Sequence, residues 1–250
     1  MKDKYYSLDC GGLFVRYSFI CPETFLLFKG YLSEGAAVDS GIDIRITKEF
    51  MEENRWLVGE DEKSDAFLEF QSLMLATGNE LLMRDRALFH GAALCWKGRA
   101  WILTAPSGTG KTTQLRHWRK LLKREMKIIN GDKPLLVMQD DRTVLACSSP
   151  WRGKERYGQR NLCAPLGGII LLEQGDHNEI MRLAADDAVI PLFTEFVSYP
   201  ENEEQIRCQA NILEQILRKV PVWKLVNLGD EESAALTLEV LKRYLEEING

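Results

Sequence analysis

The chain has 250 residues, of which 45% are hydrophobic and 28% charged. That is the composition of an ordinary globular protein, long enough for one or two domains. Its formal net charge of −5 argues against a general nucleic-acid binder. No apolar run approaches the ~18 residues of a membrane span, and Met1 to Tyr6 lacks the apolar core of a signal peptide. The six cysteines, Cys10, Cys21, Cys95, Cys147, Cys163 and Cys208, form no C-x-x-C pair. Reduced, mostly buried thiols and a cytoplasmic location are therefore the expectation, without zinc or a disulfide framework.

Residues 1–62 read as a small β-rich accessory region. Leu13 to Ile20 and Phe25 to Phe28 are apolar or alternating, and Gly41 to Ile46 alternates as a half-buried strand should. From Ser64 to about Asp85 the spacing turns helical. Phe67, Phe70, Leu73, Leu75, Leu81 and Leu82 share one broad face, with Gly78-Asn79 as a point of bending or interruption. Ala87 to Leu94 reads as a strand with His90 near its middle. Trp96-Lys97-Gly98 then turns into a second apolar strand, Trp101 to Thr104.

The residues after that strand are the most informative of the chain. Ala105 to Thr112 matches the phosphate-binding loop G-x-x-x-x-G-K-[ST], with Ala105 in place of the first glycine. Gly108 and Gly110 let the backbone curl so that successive N–H groups point at phosphate oxygens. Lys111 brings a cation to the β- and γ-phosphates, and the Thr112 hydroxyl suits Mg²⁺. A helix from Lys111 to Lys123 aims its positive end at the same anion. Ser107, Gly108, Thr109, Gly110, Lys111, Thr112 and Thr113 are accordingly the expected nucleotide-binding residues, with a nucleoside triphosphate and Mg²⁺ as ligands.

Beyond the loop, Met126 to Ile129 is a short strand ending at Asn130-Gly131-Asp132-Lys133-Pro134. Asp132 stands at a strand end, where α/β proteins place working residues, although a turn accounts for an aspartate there equally well. Leu135 to Met138 and Thr143 to Cys147 read as a hairpin with Gln139 to Arg142 at its tip. Ser148 to Pro165 is a polar loop rich in glycine and cations, among them Arg152, Lys154, Arg156 and Arg160. It is equally readable as a phosphate grip or as a solvated loop. Gly167 to Glu173 is an apolar strand ending in an acid, of Walker-B type. Helical patterns at Ala184 to Tyr199, broken at Pro191, and at Glu203 to Lys219 precede a strand from Val222 to Val226. A last helix spans Glu231 to Ile248.

Taken together, His90-Gly91, the loop Ala105 to Thr113, Asp132, the arginine-rich loop and Val220 to Leu225 resemble the HPr kinase/phosphorylase catalytic domain. More closely, the chain resembles the shorter HPr-kinase-related proteins, some of which are encoded beside genes for modified peptides. The resemblance covers roughly residues 87 to 245. It implies an α/β fold with a P-loop core of the HPr-kinase and phosphoenolpyruvate-carboxykinase type, spanning 63–250. In such a fold Asp132 would take the proton of the acceptor hydroxyl and His90 would orient it. Arg152, Arg156 or Arg160 would stabilise the group in transfer. The bifunctional enzymes carry two adjacent aspartates where this chain has Gly131-Asp132-Lys133, which tilts the implied chemistry toward kinase alone.

The expectation is thus an ATP-dependent kinase acting on a hydroxyl, with a serine of a protein or peptide as the partner. A small-molecule hydroxyl kinase and a non-catalytic nucleotide-binding regulator are the alternatives. No nucleic-acid or membrane partner is expected, and a homo-oligomer is compatible with the sequence.

Overall fold

The computed structural model describes residues 5–28, 30–34, 42–59, 62, 64–141 and 143–250. Met1 to Lys4, Gly41 at the start of a predicted strand, and Arg142 in the hairpin tip lie outside the described residues.

Among the described residues, the N-terminal part forms a four-stranded sheet in the order β3-β1-β2-β4. Its strands are β1 (Tyr6–Asp9), β2 (Phe14–Tyr17), β3 (Leu32–Glu34) and β4 (Ile42–Ile44). Between β2 and β3, Thr24–Phe28 is a helix, α1, and not the extended segment its apolar run suggested. Thr24 and Phe28 are four apart and both buried, and a helix sets residues at that spacing on one face. A second helix, α2 (Lys48–Glu53), is capped by the Thr47 hydroxyl accepting from Phe50 N–H. The region is therefore β-rich but mixed.

The long helix α3 (Asp65–Leu82) starts at Ser64, whose hydroxyl accepts from Phe67 N–H. It runs through Gly78-Asn79 without a break. The expected single strand around His90 is two strands. These are β5 (Arg86–Leu88) and β6 (Ala92–Trp96), with His90-Gly91 in the break between them. Next come β7 (Arg99–Thr104), α4 (Lys111–Leu122), β8 (Met126–Asn130) and the hairpin β9 (Leu135–Met138) with β10 (Val144–Cys147). The chain continues as β11 (Cys163–Gln174), β12 (Glu179–Arg182), α5 (Ala185–Phe193), α6 (Glu203–Lys219), β13 (Val222–Asn227) and α7 (Glu231–Asn249).

Among the described residues these strands make a nine-stranded mixed sheet. Its path is β5-β9-β10-β11-β7-β6-β8, with β13 beside β11 and β12 outside β13. The pairings of β11 with β7 and with β13 are parallel; the antiparallel pairs include β9–β10, β10–β11 and β6–β7. The period of two sorts side chains between two cores. Ala93, Ala100, Ile102 and Ile169 face α5 and α6, whereas Leu94, Trp101, Leu103 and Ile170 face α4 and α7. A third core joins the N-terminal sheet to the rest, with Val15, Tyr17 and Phe28 packed together with Leu73, Leu88, Val137 and Trp151.

Cys147 and Cys163 stand opposite each other on β10 and β11 and are joined by a disulfide. This corrects the expectation of reduced thiols for that pair. The two lie 16 residues apart and meet only because their strands pair, a relation no local spacing reveals. Cys10, Cys21, Cys95 and Cys208 are free thiols. No helix among the described residues is long and apolar enough to cross a membrane.

Candidate functional site

The phosphate-type loop connects β7 directly to α4. Ala105 is buried, and Gly108 and Gly110 adopt φ of 85° and 109°, left-handed values that favour glycine. A Cβ at either position would meet nothing within 4 Å, so backbone conformation and not crowding demands glycine, and the loop opens outward. Helix α4 begins at Gly110 with no side-chain cap. Its first N–H groups thus have no side-chain acceptor and remain available to an anion. Lys111 Nζ folds back onto the carbonyls of Ala105 at 2.6 Å and Pro106 at 3.2 Å. Thr109 and Thr112 are half-buried, and Ser107 and Thr113 are exposed. Behind the loop, Gln114 anchors α4 by donating to Ser233 Oγ at 2.6 Å and Asn227 Oδ1 at 3.2 Å.

Strand pairing brings His90 to this loop. Ala92 pairs with Leu103 across β6 and β7, so the residues just before β6 run alongside Thr104 and Ala105. The Thr104 hydroxyl donates to the His90 carbonyl at 2.7 Å. The link from β8 to β9 crosses the same point. Because β8 pairs with β6 while β9 pairs with β5, residues 131–134 must span the break that holds His90. Gly91 N–H donates to the Asp132 carbonyl and Phe89 N–H to the Pro134 carbonyl. Continuing this register from Leu88↔Leu135 sets His90 opposite Lys133.

Asn130 holds that crossing rigid. Fully buried, it accepts from both Asp132 N–H and Lys133 N–H at 2.8 Å, and it donates to the Ser149 carbonyl and hydroxyl. The Asp132 side chain then faces His90, with Oδ1 3.6 Å from Nε2. That is longer than a hydrogen bond and becomes an ion pair whenever the ring is protonated. The other oxygen, Oδ2, accepts from Lys133 Nζ at 2.9 Å.

On its other side His90 meets Glu195. His90 N–H donates to the Glu195 carbonyl at 2.7 Å, and its Nδ1 lies 2.8 Å from Glu195 Oε2. The Glu195 side chain is only 7% exposed, so a buried carboxylate has the imidazole as its partner. Lys111 senses the whole cluster. Burial pushes its ammonium below the ordinary lysine range, Glu195 and Asp132 oppose that shift, and Lys133 adds to it. His90, Asp132, Lys133 and Glu195 form one connected cluster, which the Thr104-to-His90 hydrogen bond sets beside the loop.

Beside this geometry, comparison with known proteins adds little. No protein-family model matches the chain, and no curated protein does. Among solved structures, the HPr(Ser) kinase/phosphatase from Coxiella burnetii is similar at a TM-score of 0.37 and 12% identity. The match covers 65% of this chain and 99% of that one. A likeness of that degree carries neither a fold assignment nor an activity. The mixed α/β architecture rests on the strands and helices of the chain itself.

The three arginines are placed differently from the loop and the cluster. The Arg152 guanidinium lies over the Tyr31 ring, 5.4 Å from its centroid. Arg160 donates to the Gly30 carbonyl at 3.2 Å. Both point at the N-terminal part, and Arg156 is exposed. Their loop nonetheless touches the cluster through its backbone, because a Cβ on Gly153 would fall 2.9 Å from Asp132 Cβ. Glu173, at the end of the Walker-B-type strand, is ion-paired with Lys224 at 2.6 Å.

Among the described residues no group of three or more His, Cys, Asp and Glu is arranged to hold a metal ion. The donors present suit a Mg²⁺ that arrives bound to phosphate oxygens, with the Thr112 hydroxyl added.

Glu195 is the member of the cluster that the sequence does not single out. It falls where the helical pattern runs on to Tyr199, whereas α5 ends at Phe193 and Phe196 bridges to Phe89 in extended form. A lone acid between Phe193 and Phe196-Val197 is the available signal.

Proposed function

We propose that this chain is an ATP-dependent kinase that transfers the γ-phosphate to a hydroxyl, that of a serine in a protein or peptide. The observation that supports the reading is the meeting of Asp132, His90 and Glu195 at a loop built to receive a triphosphate. Gly108, Gly110 and the open end of α4 would cradle the phosphates. Lys111 would leave its two loop carbonyls for phosphate oxygens. Mg²⁺ held by Thr112 and the nucleotide would neutralise charge on the phosphates. Asp132 would accept the hydroxyl proton as oxygen attacks phosphorus in line, while His90, fixed by Glu195, would hold that carboxylate in place.

The test uses labelled ATP with serine peptides and small alcohols. Lys111→Ala should lose nucleotide binding. Asp132→Asn should bind ATP while transfer falls by about 10²–10⁴-fold, the usual contribution of a general base. Full transfer by Asp132→Asn would remove the base assignment. Tight binding of ATP with label on no acceptor would favour a non-catalytic regulator.

A further inference from the structure

The least expected member of the cluster is Lys133. Its side chain is 16% exposed, less than the 30% of Asp132 to which it is paired. Its backbone is fixed on both sides, with N–H given to Asn130 Oδ1 and the carbonyl accepting from the Ser149 hydroxyl. It is set opposite His90 by the register of the crossing chain. Burying a lysine without function is unfavourable, and a salt bridge alone could be made from the surface.

Its ammonium sits on Asp132 Oδ2, whose other oxygen faces His90, and the His90 carbonyl accepts from Thr104 at the entry to the loop. That sets a second positive charge beside the loop, of the same sign as Lys111, where a phosphate anion is attracted by both. The side chains of Arg152 and Arg160, which could have supplied a second cation, are turned to Tyr31 and Gly30.

We infer that Lys133 is a catalytic residue. Its ammonium is the second cation of the site, binding the γ-phosphate of the bound triphosphate opposite Lys111. This rests on the kinase reading for its chemical step, but its phosphate contact does not. In that step the acceptor oxygen forms a bond to the γ-phosphorus while the bond to the ADP oxygen breaks, its electron pair leaving with ADP. The hydroxyl proton goes to Asp132. Lys133 and Lys111 stay protonated and neutralise charge on the equatorial oxygens throughout.

The experiment measures the affinities of the full chain for ATP and for ADP, each with Mg²⁺, in the parent, Lys133→Met and Lys133→Gln. Glutamine can still donate to Asp132 and serves if the methionine variant fails to fold. The parent should prefer ATP. In the variants, ATP affinity should fall by about tenfold, the loss of one charge-assisted contact, with ADP affinity changed less than about twofold. Turnover, where the parent shows it, should fall by about 10²-fold or more. An unchanged ATP-to-ADP ratio in a folded, uncharged variant would overturn the inference. A parent that discriminates ATP from ADP through Lys133 yet phosphorylates no acceptor would instead count against the kinase reading alone.

Discussion

At the scale of single residues, the site is organised by two side chains that do no chemistry themselves. Asn130 fixes the turn that carries Asp132 and Lys133, and Glu195 fixes His90. Replacing Glu195 by Gln keeps the shape but removes the buried charge that orients the ring. We expect transfer to fall by about 10–100-fold with ATP affinity little changed, by analogy with the loss of a carboxylate that orients a metal-bound histidine. Asp132 itself should remain essential in that background. Lys111 yields a prediction in pH. Because burial holds its pKa below the usual lysine value, its charge is lost on raising pH earlier than an exposed lysine would lose it. Affinity for triphosphate should therefore decline at a lower pH than an exposed lysine would dictate, and Lys111→Arg should flatten that decline in a titration of nucleotide binding, since guanidinium stays protonated.

At the scale of elements, the parts legible in the sequence are those written locally. The turn at Lys97-Gly98, the strand, the phosphate-type loop and α4 succeed one another without a gap, and each carries its own signal. The segment after α5 does not. Its extended form and the position of Glu195 come from α3, far earlier in the chain. There Asn79, 120 positions before Tyr199, accepts from the Tyr199 N–H and donates to its carbonyl. Gly78 sits beneath the crossing, and a Cβ on it would lie 1.9 Å from the Val197 carbonyl oxygen. The glycine that reads as a helix interruption is thus a contact point of an unbroken helix. Gly78→Ala improves helix propensity yet should destabilise the protein. The expected loss is about 2 kcal/mol, read as a fall in Tm of about 4–8 °C, together with lower transfer as Glu195 is pushed away. A neutral or higher Tm would show that the crossing segment is free to move.

At the scale of the whole molecule, the N-terminal sheet is tied into the rest by a common core and by Arg86, which donates to the carbonyls of Cys10 and Gly11. The sequence announces strands in this part but not its attachment, since the partners Val137 and Trp151 lie far along the chain. Burial there pushes the Cys10 thiol up to about 12 and the Tyr17 phenol well above its ordinary value. Both groups stay neutral in the fold but ionise in the unfolded chain. Stability is full below the unfolded thiol value and is lost as pH rises from about 9 toward 12, at about 1.4 kcal/mol per pH unit for each group titrating. Denaturant midpoints measured across that range should fall, and Cys10→Ala should make the fall shallower.

The anchoring of α4 by Gln114 has a consequence in time. Its partner Asn227 lies 113 positions downstream, and β11 and β13 must pair before that partner is in place. At ordinary rates of synthesis, roughly 6–23 s separate the two residues on the ribosome. During that interval the loop has its sequence but not its support. A nascent chain stalled before Val222 should leave the loop open to protease even with ATP present, and the released full chain should close it.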